Sequence, residues 1–272
     1  MAQDTVPDVS FAATAPVSVG KVGIKSRDAQ ALADYYKSAV GLREISRRPG
    51  FIVLGAGDNG FFEIEEVKSL RQDDPRSAGL FHTAFLLPKR ADLARWTQHA
   101  MDDSVSIDGA SDHLVSEAVY LTDPEGNGIE IYADRPKSAW GWDGDQVRMA
   151  TEALNFQNLM ATHKPQPGDW KGAPDGTIIG HVHLRVGNAQ EAESWWNETM
   201  SFDTVARYGP SAVFLSTGGY HHHIGANVWH SRGAGKRDID RTGLGWVELN
   251  AKSGVSKTIS DPWGTEIRVV AA

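Results

Sequence analysis

His181-Val-His-Leu-Arg-Val-Gly-Asn-Ala-Gln-Glu-Ala-Glu-Ser-Trp195 holds two different periodicities in one short stretch. Its first half is an apolar run with the length of a strand. Its second half opens on Asn188, a helix N-cap residue, and continues with apolar residues at helical spacing. The same arrangement occurs in Lys21-Val-Gly-Ile-Lys-Ser-Arg-Asp-Ala-Gln-Ala-Leu-Ala-Asp-Tyr35 and in His82-Thr-Ala-Phe-Leu-Leu-Pro-Lys-Arg-Ala-Asp-Leu-Ala-Arg-Trp96. Each runs fourteen steps from its first residue to an aromatic, and Asp28 takes the cap position in the first copy. A strand followed by a helix is therefore a repeated unit.

Short strands are predicted after each helix: 50–55 and 61–66 in the first unit, 117–122 and 129–133 in the second, and 203–208, 212–217 and 222–228 in the third. The unit is βαβββ and the class α+β. A fourth, shortened unit follows, because Leu244-Gly-Trp-Val-Glu-Leu-Asn250 has the form of an opening strand and Asp261-Pro-Trp-Gly-Thr-Glu-Ile-Arg268 echoes Asp123-Pro-Glu-Gly-Asn-Gly-Ile-Glu130. Taken in chain order, this gives a loose leader (1–19), a domain of modules one and two (20–135), a connector (136–176) and a domain of modules three and four (177–272). The connector is expected to hold a helix from Gln146 to Met160 and a run rich in Pro and Gly from His163 to Gly176.

With 272 residues, 40% of them hydrophobic, the chain can bury one large core or two ordinary ones. No apolar run is long enough to cross a bilayer, and the first residues carry acids where a signal peptide needs a basic region, so a soluble, cytoplasmic protein is expected. A net charge of -8 without a basic stripe argues against nucleic-acid or anionic-membrane partners and for a small-molecule ligand. The chain has no cysteine, which excludes disulfides, thiolate metal sites and a cysteine nucleophile. Any metal must be held by His, Asp or Glu, and ten histidines are available.

Position in the repeat selects among them. His82 and His181 open two units at the same register, and Glu130 lies in the strand that closes the unit His82 opens, after the Asp123-Pro124-Glu125-Gly126 turn. If Ile129 and Ile131 face one side of that strand, Glu130 and Tyr132 face the other. Read singly, each is an ordinary strand residue. Together, two imidazoles and one carboxylate leave adjacent coordination positions open, the facial arrangement that suits Fe(II) oxygenase chemistry and also accepts Mn(II), Co(II) or Zn(II).

From about residue 20 to 270 the chain resembles the vicinal oxygen chelate superfamily, which also contains glyoxalases and bleomycin-resistance proteins. Within it, the chain is similar to extradiol ring-cleaving dioxygenases of the catechol 2,3-dioxygenase type. The motif that carries the resemblance is His113, Val119-Tyr120, Asp123-Pro124, Gly126 and Glu130 in that order; Ser111 departs from it, standing where Gly, Asn, Thr, Ile or Val is usual. The resemblance implies tandem βαβββ modules in two cupped mixed sheets, with His82, Glu130 and His181 as ligands of Fe(II) or another divalent metal. It implies that Tyr120 and His113 contact the substrate or dioxygen, and that Gly218-Gly-Tyr-His-His-His-Ile-Gly225 supplies an acid-base histidine. His222 has the best register for that role. His221 and His223 point to the opposite side if the strand is regular, and a slip by one residue would change the choice.

The implied activity is cleavage of catechol or a substituted catechol with insertion of both atoms of O2, in a chain whose expected assembly is a homodimer. Phe85, Tyr132 and Trp229 are candidates for packing against the aromatic ring, as well as for ordinary core positions. Two other readings remain open: a metal-dependent glyoxalase, epimerase or thiol transferase, and a metal-free binding protein. Better-known extradiol enzymes build the site from modules three and four. Here modules two and three are expected to build it, because Lys21, about Gly245 and Arg268 occupy the ligand positions of the outer modules, which become a structural half.

Overall fold

The structure, a computed structural model, describes residues 10–271. A short helix α1 (Phe11–Thr14), capped by Ser10, precedes module one: β1 (Val17–Ser26), α2 (Ala29–Tyr35), β2 (Arg43–Arg48), β3 (Phe51–Ala56) and β4 (Asn59–Glu66). Module two is β5 (Gly79–Leu86), α3 (Arg90–Asp102), β6 (Gly109–Asp112), β7 (Ser116–Thr122) and β8 (Gly128–Asp134). The connector holds β9 (Trp142–Asp143), β10 (Gln146–Val147), β11 (Glu152–Ala153) and α4 (Phe156–His163). Module three is β12 (Ile178–Arg185), α5 (Ala189–Met200), β13 (Asp203–Tyr208), β14 (Ala212–Ser216) and β15 (Ile224–Asn227). Module four has β16 (Gly243–Ala251), β17 (Lys257–Ser260) and β18 (Glu266–Ala271) without a helix between them.

In every module the first strand lies parallel to the last. A parallel pair needs a long crossover, and the helix supplies it in the three full modules. Asp28 and Asn188 cap α2 and α5 through their side-chain oxygens, as their positions predict. The modules then join in pairs through antiparallel first strands. β1 pairs with β16 to give the seven-stranded sheet β17-β18-β16-β1-β4-β3-β2, and β5 pairs with β12 in the nine-stranded sheet β11-β6-β7-β8-β5-β12-β15-β14-β13. The fold is the expected α+β arrangement of tandem βαβββ modules in mixed sheets. The sheets do not follow the division into 20–135 and 177–272, because module two joins module three and module one joins module four.

Three local expectations are corrected. The segment taken as a loose leader lies partly outside the described residues, but from residue 10 it is structured: Ala12 is buried, and β1 begins at Val17. The connector helix starts at Phe156, where the Asn155 side chain accepts from the Asn158 N–H, and Gln146 belongs to a strand instead. Strands β2 and β6 were not anticipated. Arg-Glu-Ile-Ser-Arg-Arg and Gly-Ala-Ser-Asp lack an apolar alternation because both strands lie at or near sheet edges.

The β5–β12 ladder is irregular at Gly180 and at Phe81, on either side of the pairs His181–Ala84, Val182–Thr83 and His183–His82. The β1–β16 ladder is irregular at the matching places, Gly20 and Gly245. These bulges are thus a property of the module junction, and they re-aim the residues beside them. Gly180 is required for a steric reason: a Cβ there would lie 1.8 Å from the Tyr132 hydroxyl. The turn between β7 and β8 is likewise structural. Asp123 accepts from the backbone N–H groups of Glu125 and Asn127, and Asp261 does the same for Trp263 and Thr265 in module four.

The main core lies where the two halves meet, with Tyr36, Phe62 and Phe85 in mutual contact and the Trp96 indole N–H donating to the Ala39 carbonyl. A second apolar cluster, including Ala12, Trp140, Phe214 and Tyr220, covers the other face of the nine-stranded sheet. His223 links it to α1: its Nε2–H donates to the Ala12 carbonyl (3.0 Å) and its Nδ1 accepts from the Ser216 hydroxyl (3.0 Å). No helix among the described residues is long and apolar enough to cross a membrane.

Two outcomes follow from this packing. Gly180→Ala is expected to cost roughly 1–3 kcal/mol, read as a lower melting temperature, and Tyr132→Phe in the same chain is expected to recover part of it. Burial pushes the His223 imidazole down to about 4. Above the ordinary value of 6.5 the ring is neutral folded or unfolded; as pH falls through 6.5 only the unfolded chain takes up the proton, so stability falls by up to about 1.4 kcal/mol per pH unit until about pH 4. Urea unfolding of His223→Gln between pH 7 and 4.5 is expected to show a shallower loss than the wild type, and an equal slope would contradict this assignment.

Candidate metal centre

Three neighbouring strands put the candidate ligands on one face. Ala84 on β5 lies between Glu130 on β8 and His181 on β12, and His82 is opposite His183. A methyl group at the centre of that row leaves space above it, and the longer side chains lean into it. The result is a buried triangle: His82 Nε2 to Glu130 Oε2 is 3.0 Å, His181 Nε2 to the same oxygen 3.1 Å, and the two ring nitrogens are 3.3 Å apart. Among the described residues this is the one group of three such donors close enough to share a metal ion.

The donor set fits a divalent ion. Bonds of about 2.1 Å put neighbouring donors roughly 3.0 Å apart at right angles and about 3.4 Å apart in a tetrahedron. The three edges fall in that range. Burial pushes the Glu130 carboxyl up, but the adjacent His181 and His82 rings outweigh it and hold the group well below the usual carboxylate range. Burial pushes His181 down to about 4, against the pull of Glu130. Near neutral pH the site therefore offers a carboxylate and an uncharged His181 imidazole, the charge states that metal binding requires.

The triangle lies in the wall of a cavity of about 240 Å³. His113, Tyr120 and His222 line the same cavity, so all six predicted site residues meet there. The His113 ring is held by its Nδ1–H, which donates to the Ala150 carbonyl (2.7 Å), and its Nε2 is 2.5 Å from the Tyr120 hydroxyl. Burial, with Glu130 nearby, raises the Tyr120 phenol well above its ordinary value, so it keeps its proton. His222 packs at 4.0 Å from the His181 ring and against Phe214. Burial and the surrounding imidazoles push it well below 6.5.

His221 does not point away from His222. Residues 218–223 form turns and bends before β15 starts at Ile224, so strand alternation does not apply to the three histidines. His221 sits directly behind His222, with their Nδ1 atoms 2.9 Å apart, while His223 turns toward Ala12. Of the aromatic candidates, Trp229 lines the cavity, Phe85 lies in the main core, and Tyr132 is buried beside His181. Phe81, Met149 and Phe214 also line it and were missed. Phe81 is brought in by the bulge in β5, and Met149 comes from the connector, which has no periodicity to read. His183 was left unassigned; it lines the cavity, and its Nε2 has no partner among the described residues.

The seven-stranded sheet repeats the geometry without the chemistry. Ladder register puts Lys21 at the position of His181, Arg268 at that of Glu130 and Glu248 at that of Ala84. The counterpart of His82 is Trp246, not Gly245, because Gly245 is the bulge residue and does not count in the ladder. The Trp246 ring covers Gly23, and the Arg268 guanidinium lies 4.0 Å above it. An indole with a guanidinium packed on it takes the place where three ligands converge in the other half.

Comparison with known proteins agrees with this architecture. Residues 18–131 match the model of the Glyoxalase/Bleomycin resistance protein/Dioxygenase superfamily. A protein of Bacillus subtilis (strain 168) named catechol-2,3-dioxygenase is 37% identical over 238 residues, covering 85% of this chain and 81% of the relative. Among solved structures, glyoxalase I from Zea mays aligns with a TM-score of 0.57 at 12% identity, covering 94% of this chain and 92% of that one. The cppA protein from Streptococcus pneumoniae aligns with a TM-score of 0.55 at 11% identity, over 94% of this chain and 100% of its own. These two share the fold. Extended sequence identity to the Bacillus subtilis protein, together with the paired modules, establishes that the chain belongs to the Glyoxalase/Bleomycin resistance protein/Dioxygenase superfamily.

Proposed function

We propose that this protein is an Fe(II)-dependent extradiol dioxygenase that cleaves the ring of catechol or a substituted catechol next to the vicinal diol, inserting both atoms of O2. The observation that carries the reading is the convergence of His82 Nε2, His181 Nε2 and Glu130 Oε2 within 3.0–3.3 Å in the wall of a cavity that also presents His113, Tyr120 and His222. The relative's name supports the same chemistry. A glyoxalase-type site with a fourth His or carboxylate ligand fits less well, since the donor group among the described residues has three members.

His82, His181 and Glu130 would hold the iron, which when bound supplies adjacent open positions, Lewis acidity and electron transfer between ring and dioxygen. The protein's own groups do the rest. Phe81, Met149, Phe214 and Trp229 give the cavity an apolar wall that grips the flat ring and excludes water. His222 takes a proton from the diol and returns one later, work suited to a neutral imidazole. With His113 Nδ1–H committed to Ala150, His113 Nε2 accepts a hydrogen bond from the Tyr120 hydroxyl. Tyr120 then turns its oxygen lone pairs toward a substrate hydroxyl.

Anaerobic reconstitution with Fe(II), followed by catechol and oxygen, is expected to yield the yellow ring-fission product. Glu130→Ala and His181→Ala are expected to lose iron by elemental analysis while staying folded. His222→Ala is expected to keep iron and lose about 10²- to 10⁴-fold in kcat. Full iron content and activity in His181→Ala would overturn the ligand set. Absence of a yellow product from the reconstituted wild type over a range of catechols would overturn the reaction.

A further inference from the structure

His222 is not alone in the wall of the cavity: a chain of hydrogen bonds runs behind it to the end of β8. The His221 Nε2 lies 2.8 Å from Asp134 Oδ1, and His221 Nδ1 lies 2.9 Å from His222 Nδ1. The Tyr220 hydroxyl donates to the same Asp134 oxygen at 3.3 Å and is itself 2.8 Å from the Tyr132 hydroxyl. His221 is fully buried, with the Tyr220 ring at 4.0 Å and the Trp140 ring at 5.2 Å. Its ring therefore has little freedom to turn, and its two nitrogens have fixed partners.

The partners decide where the protons are. A carboxylate only accepts, so the His221 Nε2 carries the hydrogen that it donates to Asp134. A neutral His221 then has a lone pair on Nδ1, and the hydrogen between the two rings belongs to His222 Nδ1. That leaves His222 Nε2, on the ring edge away from His221, as a bare lone pair, and His222 lines the cavity. The ring cannot swing out of this orientation easily, because it is packed between His181 at 4.0 Å and Phe214 at 5.1 Å.

We propose that Asp134 and His221 are positioning residues that lock His222 into the tautomer whose Nε2 faces the cavity ready to accept a proton. The inference rests on the dioxygenase reading for the use made of that lone pair, but not for its existence. The arrangement has the logic of an aspartate that orients a catalytic imidazole, with one histidine interposed. The interposed ring lets a carboxylate at the end of a strand in module two set the protonation of a histidine in module three. Tyr220 also holds Asp134, and Tyr132 holds Tyr220 through its hydroxyl, which gives a purpose to the space left by Gly180.

Long-range 1H–15N correlation spectra of metal-free and Zn(II)-loaded protein read the tautomer directly and need no substrate. The expected result is His222 protonated on Nδ1 and bare on Nε2, with His221 protonated on Nε2. The opposite pattern at His222, or a doubly protonated His221, would overturn the proposal whatever the reaction proves to be. Kinetics of the iron enzyme supply the second arm. His221→Leu and Asp134→Ala are expected to keep iron content and to leave KM within about twofold while kcat falls on the order of 10- to 100-fold. His221→Gln, whose amide can donate to Asp134 and accept from His222, is expected to recover most of the loss. A kcat near wild type in His221→Leu, or equal losses in the Leu and Gln variants, would show that His221 serves packing and not orientation. Failure of the dioxygenase reading is separable, since it appears as an inactive wild type with an unchanged tautomer spectrum.

Discussion

The antiparallel pairing of β5 with β12 is the constraint on which the rest of the site depends. Each strand begins a different module, and only their pairing brings His82 and His181 to one face. Glu130 joins because β8 lies parallel to β5 on the other side, and Ala84 leaves the space into which all three reach. None of these residues is close to the others in sequence. A buried carboxylate between two buried imidazoles would be costly without a metal or a shared proton, so the packing that forces them together also sets the affinity for a divalent ion.

Much of this was legible in the sequence because the repeat carries register. His82 and His181 occupy equivalent positions in two copies, and Glu130 closes the copy that His82 opens, so their convergence follows once modules two and three are paired. Register also explains the errors. Counting residues placed Gly245 at the position of His82 in module four, whereas the bulge removes Gly245 from the ladder and puts Trp246 there. Alternation separated His221 from His222, but alternation belongs to strands and that segment is a turn. Residues 10–19 were read as loose because a four-residue helix has no period to detect, and their docking on His223 depends on partners near the other end of the chain. Asp134 and Met149 were invisible for a similar reason: only tertiary packing gives them neighbours in the site.

The two halves separate what the fold needs from what the chemistry needs. Bulges at the module junction and the Asp-Pro-x-Gly turn occur in both halves, including the one with no ligands. They are therefore structural, although the turn forms part of the motif that points to the dioxygenases. What distinguishes the half with the candidate ligands is a small set of side chains: His82, His181, Glu130 and Ala84 in place of Trp246, Lys21, Arg268 and Glu248. The outer half fills its corresponding space with an indole and a cation, which keeps the junction packed without a metal.

The sheet order also nests the chain like a pair of brackets. Modules two and three, which hold every candidate ligand, are consecutive, while β1 near the start of the described chain must find β16 near its end. During synthesis the ligand-bearing sheet can close as soon as its own strands have emerged. The β1–β16 junction must wait for almost all of the described chain, and its longer loop adds only about 1 kcal/mol or less to the closure cost, which grows as the logarithm of length. The topology thus permits the inner sheet to be built first, with the joining of first and last modules as a clasp around it.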